Sequence, residues 1–305
     1  MEKLEFKIDA EEAGMRIDKC AAKRLGEEYS RTFARMLIDK GHITVNGVNV
    51  KPRHPVCEGD EVIVEILPPV ESDVKPENIP LDIIYEDERI IVVNKSAGMV
   101  VHPGAGNKNG TLVNALLFHT SSLADTGDAA RPGIVHRLDK DTSGVVVACK
   151  DERALRSISK QFQGRTVKKR YIALVRGQVG PDNGVVEVPL ARHAVNRKKM
   201  TVDHERGKPA RSVYHVKKRF KRFTVLEIEL ETGRTHQIRL HMKHIGHPVL
   251  GDKTYGYGNE VPRQALHAEM VGFTHPDTGK YVEFHSPVPD DIMEVIKRGD
   301  FGSGE

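Results

Sequence analysis

The sequence predicts an α+β protein: a small N-terminal unit of two helices, a hairpin and a strand, then a larger domain built on short apolar strands. Three observations carry this reading. An Asn46-Gly47 dipeptide lies between apolar runs, directly after two helix patterns. A Pro-rich acidic stretch at 69–80 separates the two parts. Beyond it, strand-like runs do not alternate regularly with helices, as a doubly wound parallel sheet would require.

The first element is the helical pattern Met15-Arg-Ile-Asp-Lys-Cys-Ala-Ala-Lys-Arg-Leu25. Ser30 reads as an N-cap, and Arg31 to Lys40 as a second helix closed by Gly41. On that helix Phe33, Met36 and Leu37 share one face, while Arg31 and Arg35 lie together on another. His42 to Val50 reads as a hairpin through Asn46-Gly47, because a tight two-residue turn needs positive φ at both central positions. Glu58-Gly-Asp60 turns the chain into the alternating strand Glu61-Val-Ile-Val-Glu-Ile-Leu67. This order of elements over 13–68 resembles the RNA-binding module of ribosomal protein S4. The resemblance implies that the helix carrying Arg31 and Arg35 faces RNA.

Residues 69–80 are expected to form an extended linker, 81–298 the larger domain and 299–305 a flexible tail. Ile83-Ile-Tyr85 and Ile90-Ile-Val-Val-Asn94 read as its first strands. Gly104, Gly106 and Gly110 precede the helix pattern Thr111 to Phe118, in which Phe118 reads as ordinary core material. Their spacing exceeds GxGxxG by one residue, which excludes a dinucleotide-binding loop. No GxxxxGK[ST], GxSxG or HExxH motif is present.

Val145-Val-Val-Ala-Cys149 is a short apolar run entered through Gly144 and reads as a fully buried strand. The loop that feeds it, His136-Arg-Leu-Asp-Lys-Asp-Thr-Ser-Gly144, has three readings on its own. It is a turn whose Asp and Ser side chains bond the local backbone. It is a calcium loop, against which Lys150 stands where a bidentate Glu is needed. Or Asp139 is a catalytic carboxylate, with Arg137 and Lys140 available to a polyanion.

The 305 residues suffice for two domains, one with a sizeable core. No apolar run approaches the ~20 residues of a membrane span, and the charged start lacks a signal-peptide core. Cys20, Cys57 and Cys149 are far apart and odd in number, so neither disulfides nor structural zinc are expected, and a cytoplasmic location follows. The net charge of +4 is unevenly spread: residues 151–240 carry 22 Lys and Arg against 9 Asp and Glu, a net of +13. Lys168-Lys-Arg170, Arg197-Lys-Lys199 and Lys217-Lys-Arg-Phe-Lys-Arg222 lie in that stretch and together favour a phosphate-binding surface.

His136-Arg-Leu-Asp139, followed by Thr142-Ser-Gly144, resembles the central motif of the RluA family of RNA pseudouridine synthases. Further segments match that family in order: Val100-Val-His-Pro-Gly-Ala-Gly106, Val167-Lys-Lys-Arg-Tyr-Ile-Ala-Leu-Val175, Glu231-Thr-Gly-Arg-Thr-His-Gln-Ile-Arg-Leu-His-Met242 and Gln264-Ala-Leu-His-Ala268. The resemblance covers nearly the whole chain and is closest to the RluD-type members, which modify large-subunit ribosomal RNA. It implies a mixed, largely antiparallel sheet with helices on its flanks.

The resemblance further implies that Asp139 is the carboxylate that enables uridine isomerisation, without metal or cofactor. Attack on the sugar, attack on the uracil ring and assistance to sugar deprotonation all stay open. Tyr171 would lie against the uracil, Leu266 would form an apolar pocket wall, and Arg137 would fill the stack left by a flipped base. His136 and His102 would shape their loops. Arg239 matches the cationic partner of Asp139. Arg234 is its rival; read as a strand, the segment puts the two arginines on opposite faces, so that only one points into the pocket. The implied partner is large-subunit ribosomal RNA or a pre-ribosomal particle, bound by a monomer with no membrane attachment. A non-catalytic RNA-binding or assembly factor on the same fold, and a tRNA-directed synthase, are the competing readings.

Overall fold

The computed structural model describes residues 2–26, 29, 31–66, 74–104, 106–126, 128–197, 199–258 and 261–300. Ser30, the linker up to 73 and the tail beyond 300 lie outside the described residues. The chain forms two compact units, residues 1–73 with 127–129 and residues 74–126 with 130–305.

In the first unit β1 (Glu2–Lys7), α1 (Ile17–Leu25), α2 (Arg31–Asp39), β2 (Ile43–Val45), β3 (Val48–Asn49) and β4 (Glu61–Ile66) follow one another. The strands form one antiparallel sheet in the order β1-β4-β2-β3. The sequence reading gave no element to residues 2–7, because Leu4 and Phe6 alternate only briefly among charges; both pack on the unit's core. Asn46 and Gly47 take φ of 51° and 75°, as the hairpin turn requires. Helix α2 ends as expected: Gly41 is left-handed at φ 80°, its N–H donates to Ile38 O, and the His42 N–H donates to Leu37 O. Ile17, Cys20 and Ala21 of α1 and Leu37 of α2 close on Ile43, Val62 and Val64 of the sheet.

The second unit begins with β5 (Ile83–Glu86), β6 (Ile90–Lys95), α3 (Leu112–His119), β7 (Ser143–Cys149), α4 (Glu152–Gln163) and β8 (Lys168–Arg176). It continues with β9 (Asn183–Glu187), β10 (Leu190–Arg192), β11 (Met200–Val202), β12 (Arg211–Arg219), β13 (Phe223–Leu230) and α5 (Gln237–His244). It closes with β14 (Leu266–Thr274), β15 (Tyr281–His285) and α6 (Asp290–Arg298). Nine strands form one mixed sheet in the order β5-β6-β7-β14-β8-β13-β12-β9, with β15 also on β14, while β10 and β11 make a separate ribbon. Among the described residues of that sheet β7 and β14 alone run parallel, and the other pairs are antiparallel. The expected mixed, largely antiparallel sheet is the one observed.

Strand β7 is buried along its whole length, which explains its unbroken apolar sequence. Gly144 is obligatory there. Its φ is 118°, and a Cβ would stand 2.2 Å from the Ala268 carbonyl oxygen of β14. This close approach sets the end of the loop that carries Asp139.

Two expectations fail. Phe118 is 56% exposed and is not core; the buried part of α3 runs from Leu112 to Leu116, and Phe118 lies in its last turn. The segment around Arg239 is a helix, α5, and not a strand. Ile238, Leu240 and Met242 alternate as a strand would, but every residue from Gln237 to Met242 is buried. A helix buried all round has no apolar stripe for its 3.6-residue period to show. The opposite-face argument for Arg234 and Arg239 therefore fails, although Arg239 does meet Asp139.

Candidate active site

Asp139 lies in the loop between α3 and β7, and Arg239 reaches it from α5 across 100 residues of sequence. Arg239 Nη1 donates to Asp139 Oδ2 at 2.8 Å. The rest of the guanidinium faces Asp252: Nε donates to Oδ2 at 2.7 Å and Nη2 to Oδ1 at 2.9 Å. Asp252 is fully buried and its Oδ1 also accepts the Thr254 and Tyr255 N–H groups. Burial works against its ionised form, but Arg239's hydrogen bonds and charge outweigh it and hold the carboxyl below the usual range. Burial likewise opposes the charge on Arg239, and the two carboxylates more than offset it, so its pKa is raised. The result is a carboxylate–guanidinium–carboxylate row whose Asp139 end retains 19% side-chain exposure, against 0% for Asp252.

Arg239 is fixed by its helix, and the helix by Gln237. The Gln237 Oε1 accepts from Thr232 Oγ1 and from the Arg234 N–H, while its Nε2 donates to Arg211 O and Ser212 Oγ. Arg234 itself is half-buried, and its Nε donates to Pro209 O at 3.2 Å and not to Asp139.

Tyr171 stands on β8 opposite Ala268 of β14 and packs against two apolar clusters, one of which contains Leu266. Burial, and then the charge of Asp139, pushes its phenol pKa up. Tyr171 also lines a cavity of about 500 Å³. Five cationic side chains, Arg131, Arg137, Arg165, Lys169 and Arg234, share that lining with a single carboxylate, Glu231. Asp139 is not part of the lining. Arg137 is exposed, with Nη1 3.3 Å from His102 Nε2. Leu266 is buried in the core cluster shared with Tyr171.

The histidine preceding this loop does hold it in place. His136 Nε2 accepts the Val147 N–H at 3.0 Å, and its ring stacks on Phe162. Burial, then the charge of Lys169, brings its pKa down to about 4, so the acceptor nitrogen stays unprotonated near neutrality. In the first unit, Arg31 donates to the buried Asp18 through Nε and Nη2, beside Arg16. Arg35 is exposed, with Asp39 at 3.7 Å.

Sequence reasoning passed over four residues. Asp252 sits in Gly251-Asp-Lys-Thr-Tyr255, which has the composition of an ordinary Asx turn. Tyr255 and His236 form a hydrogen bond next to Asp139. Lys95 is buried and donates to the carbonyls of Ser96, Met99 and Lys140, tying the Asp139 loop to the 96–99 turn. Its signal was a lysine at the end of an otherwise apolar strand.

Comparison with known proteins agrees with this architecture. Residues 89–244 match the RNA pseudouridylate synthase family, and residues 15–62 match the S4 domain. An uncharacterized RNA pseudouridine synthase of Bacillus subtilis is 44% identical, over 97% of this chain and 98% of its own length. The ribosomal large subunit pseudouridine synthase D of Pasteurella multocida is 42% identical, over 96% of this chain and 94% of its own. The solved structure of human RNA pseudouridylate synthase domain containing 1 shares the fold, at a TM-score of 0.57 and 23% identity, over 77% of this chain and 97% of the other. The chain belongs to the RNA pseudouridylate synthase family and carries an S4 domain. It is an isomerase acting on RNA. No helix among the described residues is long and apolar enough to cross a membrane.

Proposed function

We propose that this protein converts specific uridines of large-subunit ribosomal RNA to pseudouridine, with Asp139 as the acting carboxylate. The observation that carries the reading is Asp139's place at the open end of the row that Arg239 and Asp252 complete. In the reaction the bond between uracil N1 and the sugar breaks, the ring turns, and C5 bonds to the sugar carbon. N1 ends with a hydrogen in place of the one that C5 loses, so no oxidant or outside group enters.

A uridine stacked in RNA reaches such a carboxylate only when flipped out, at a cost of a few kcal/mol. In this account Tyr171 lies against the uracil, Leu266 backs it, and Arg137 enters the vacated stack. Arg239 orients Asp139 through the hydrogen bond to Oδ2 and sets a positive charge beside it. The basic cavity lining and the +13 stretch would hold phosphates. Residues 13–68 would act as the RNA-orienting module, through Arg35 and the exposed part of Arg31, with 81–298 as the catalytic domain. The protein would work as a cytoplasmic monomer on ribosomal RNA or a pre-ribosomal particle. The relatives named for the ribosomal large subunit favour this substrate over tRNA.

The test is to map pseudouridine in large-subunit ribosomal RNA and in tRNA from cells with and without the protein. Sites lost only from the ribosomal RNA support the reading. Losses confined to tRNA, or no losses, contradict it.

A further inference from the structure

We propose that His236 is a positioning residue for Asp139: its Nε2–H, aimed by Tyr255, braces Oδ2 of the carboxylate and leaves Oδ1 to meet the substrate. The inference rests on the reading of Asp139 as the acting carboxylate.

His236 stands at the N-terminus of α5 in the left-handed region, at φ 56°. A non-glycine residue there is uncommon, and a functional constraint is one reason for such a conformation to persist. The conformation points the ring between two groups. Nδ1 is 2.8 Å from the Tyr255 hydroxyl, and Nε2 is 3.8 Å from Asp139 Oδ2.

The tautomer follows from Tyr255. Its oxygen accepts the Met200 N–H at 2.7 Å. Among the described residues the one acceptor within reach of its own O–H is His236 Nδ1. Burial raises the pKa of Tyr255 and lowers that of His236, the latter despite the nearby Asp139 charge, so the phenol keeps its proton and the imidazole is neutral. With Nδ1 accepting, the single ring proton is on Nε2, which faces Asp139. At 3.8 Å this is not yet a hydrogen bond, and a small approach of either side chain makes it one.

Asp139 needs such a second hold. Arg239 gives it one donor, Nη1, because Nε and Nη2 are taken by Asp252. One hydrogen bond lets the carboxylate rotate about its last torsion. Both Nη1 and Nε2 address Oδ2, and among the described residues no donor lies on Oδ1. A second donor on Oδ2 fixes the plane of the carboxylate and defines which oxygen reacts.

The test compares two amides at position 236 in the full-length protein, under steady-state conditions on an RNA substrate. His236→Gln carries an N–H donor about as far out as Nε2. His236→Asn is too short to reach Asp139 but suits left-handed backbone better. The expected result is a kcat about 10- to 100-fold lower for His236→Asn, with KM within about twofold and the wild-type Tm, while His236→Gln keeps most of the kcat. Tyr255→Phe, which releases the tautomer, should fall between them. If Asn equals or exceeds Gln, or if the loss appears in KM or Tm, His236 serves only the backbone and the proposal is overturned. Asp139→Asn run alongside separates the two levels. An inactive Asp139→Asn with a fully active His236→Asn rejects only the role of His236, whereas an active Asp139→Asn removes the reading beneath it.

Discussion

Arg239 gives two of its hydrogen bonds to Asp252 and one to Asp139. The buried carboxylate is therefore the anchor of the guanidinium, and the partly exposed one is its client. This asymmetry sets a fully buried acid apart from a partly exposed one within a single row, and it makes Arg239 the group that joins them.

Arg239→Ala should cost about 3–5 kcal/mol, because it strands Asp252 as a buried, unpaired charge. The pH dependence has a defined sign. In the wild type Arg239 holds the Asp252 pKa below its ordinary value, so the pair's contribution is fully present above about pH 4 and fades below it. In the variant the buried carboxyl has lost that partner and its pKa moves above the ordinary value. The folded variant then holds a proton that the unfolded chain has released, and its stability falls as pH rises from about 4. Denaturant unfolding at pH 4.5 and 7 should show a larger deficit at pH 7. Arg234→Ala, at a half-buried site where one hydrogen bond to Pro209 O is lost, should cost no more than about 1.5 kcal/mol. A larger loss for Arg234 would mean that the wrong arginine anchors the site.

His136 predicts an acid-sensitive loop. Its folded pKa of about 4 lies below the ordinary 6.5, so the unfolded chain binds a proton across that interval and the folded chain does not. Stability should decline as pH falls from about 6.5 toward 4. His136→Gln keeps an acceptor for the Val147 N–H without a titratable ring, so it should flatten this decline. An unchanged slope would show that another group, such as the buried His241, whose pKa burial also lowers to about 4, dominates it.

The two units should be separable in function. Residues 1–73 hold 11 Lys and Arg against 15 Asp and Glu, a net of −4, while 151–240 hold a net of +13. Deleting 1–73 should leave a folded domain that still makes pseudouridine, more slowly or at more sites. Binding by both forms should weaken steeply with salt, because phosphate contacts release counterions. Conversion at native and off-target uridines, measured at two salt concentrations, tests this. A folded but inactive truncation would place the N-terminal unit inside the catalytic machinery.

Where local rules decide the conformation, the sequence was readable. Asn46-Gly47 demanded its turn, Gly41 its helix stop, and the apolar run of β7 its burial. The pairing of Asp139 with Arg239 was also legible, from motif resemblance and not from geometry, since the strand argument behind it was wrong. What stayed hidden is set by tertiary contact. Helix α5 shows no amphipathic stripe because protein surrounds it, and β1 exists because β4 is there to pair with it. Asp252, Tyr255 and His236 look like turn residues until α5 and the Asp139 loop bring them together.

The central claim is tested most directly by Asp139→Asn, which removes the charge with almost no change of shape. Pseudouridine formation is followed in a large-subunit ribosomal RNA fragment, at enzyme in excess over RNA, with RNA binding and Tm recorded on the same protein. The account predicts no detectable product, with binding and Tm close to wild type, since Arg239 remains anchored by Asp252. Product formed at a substantial fraction of the wild-type rate would contradict it.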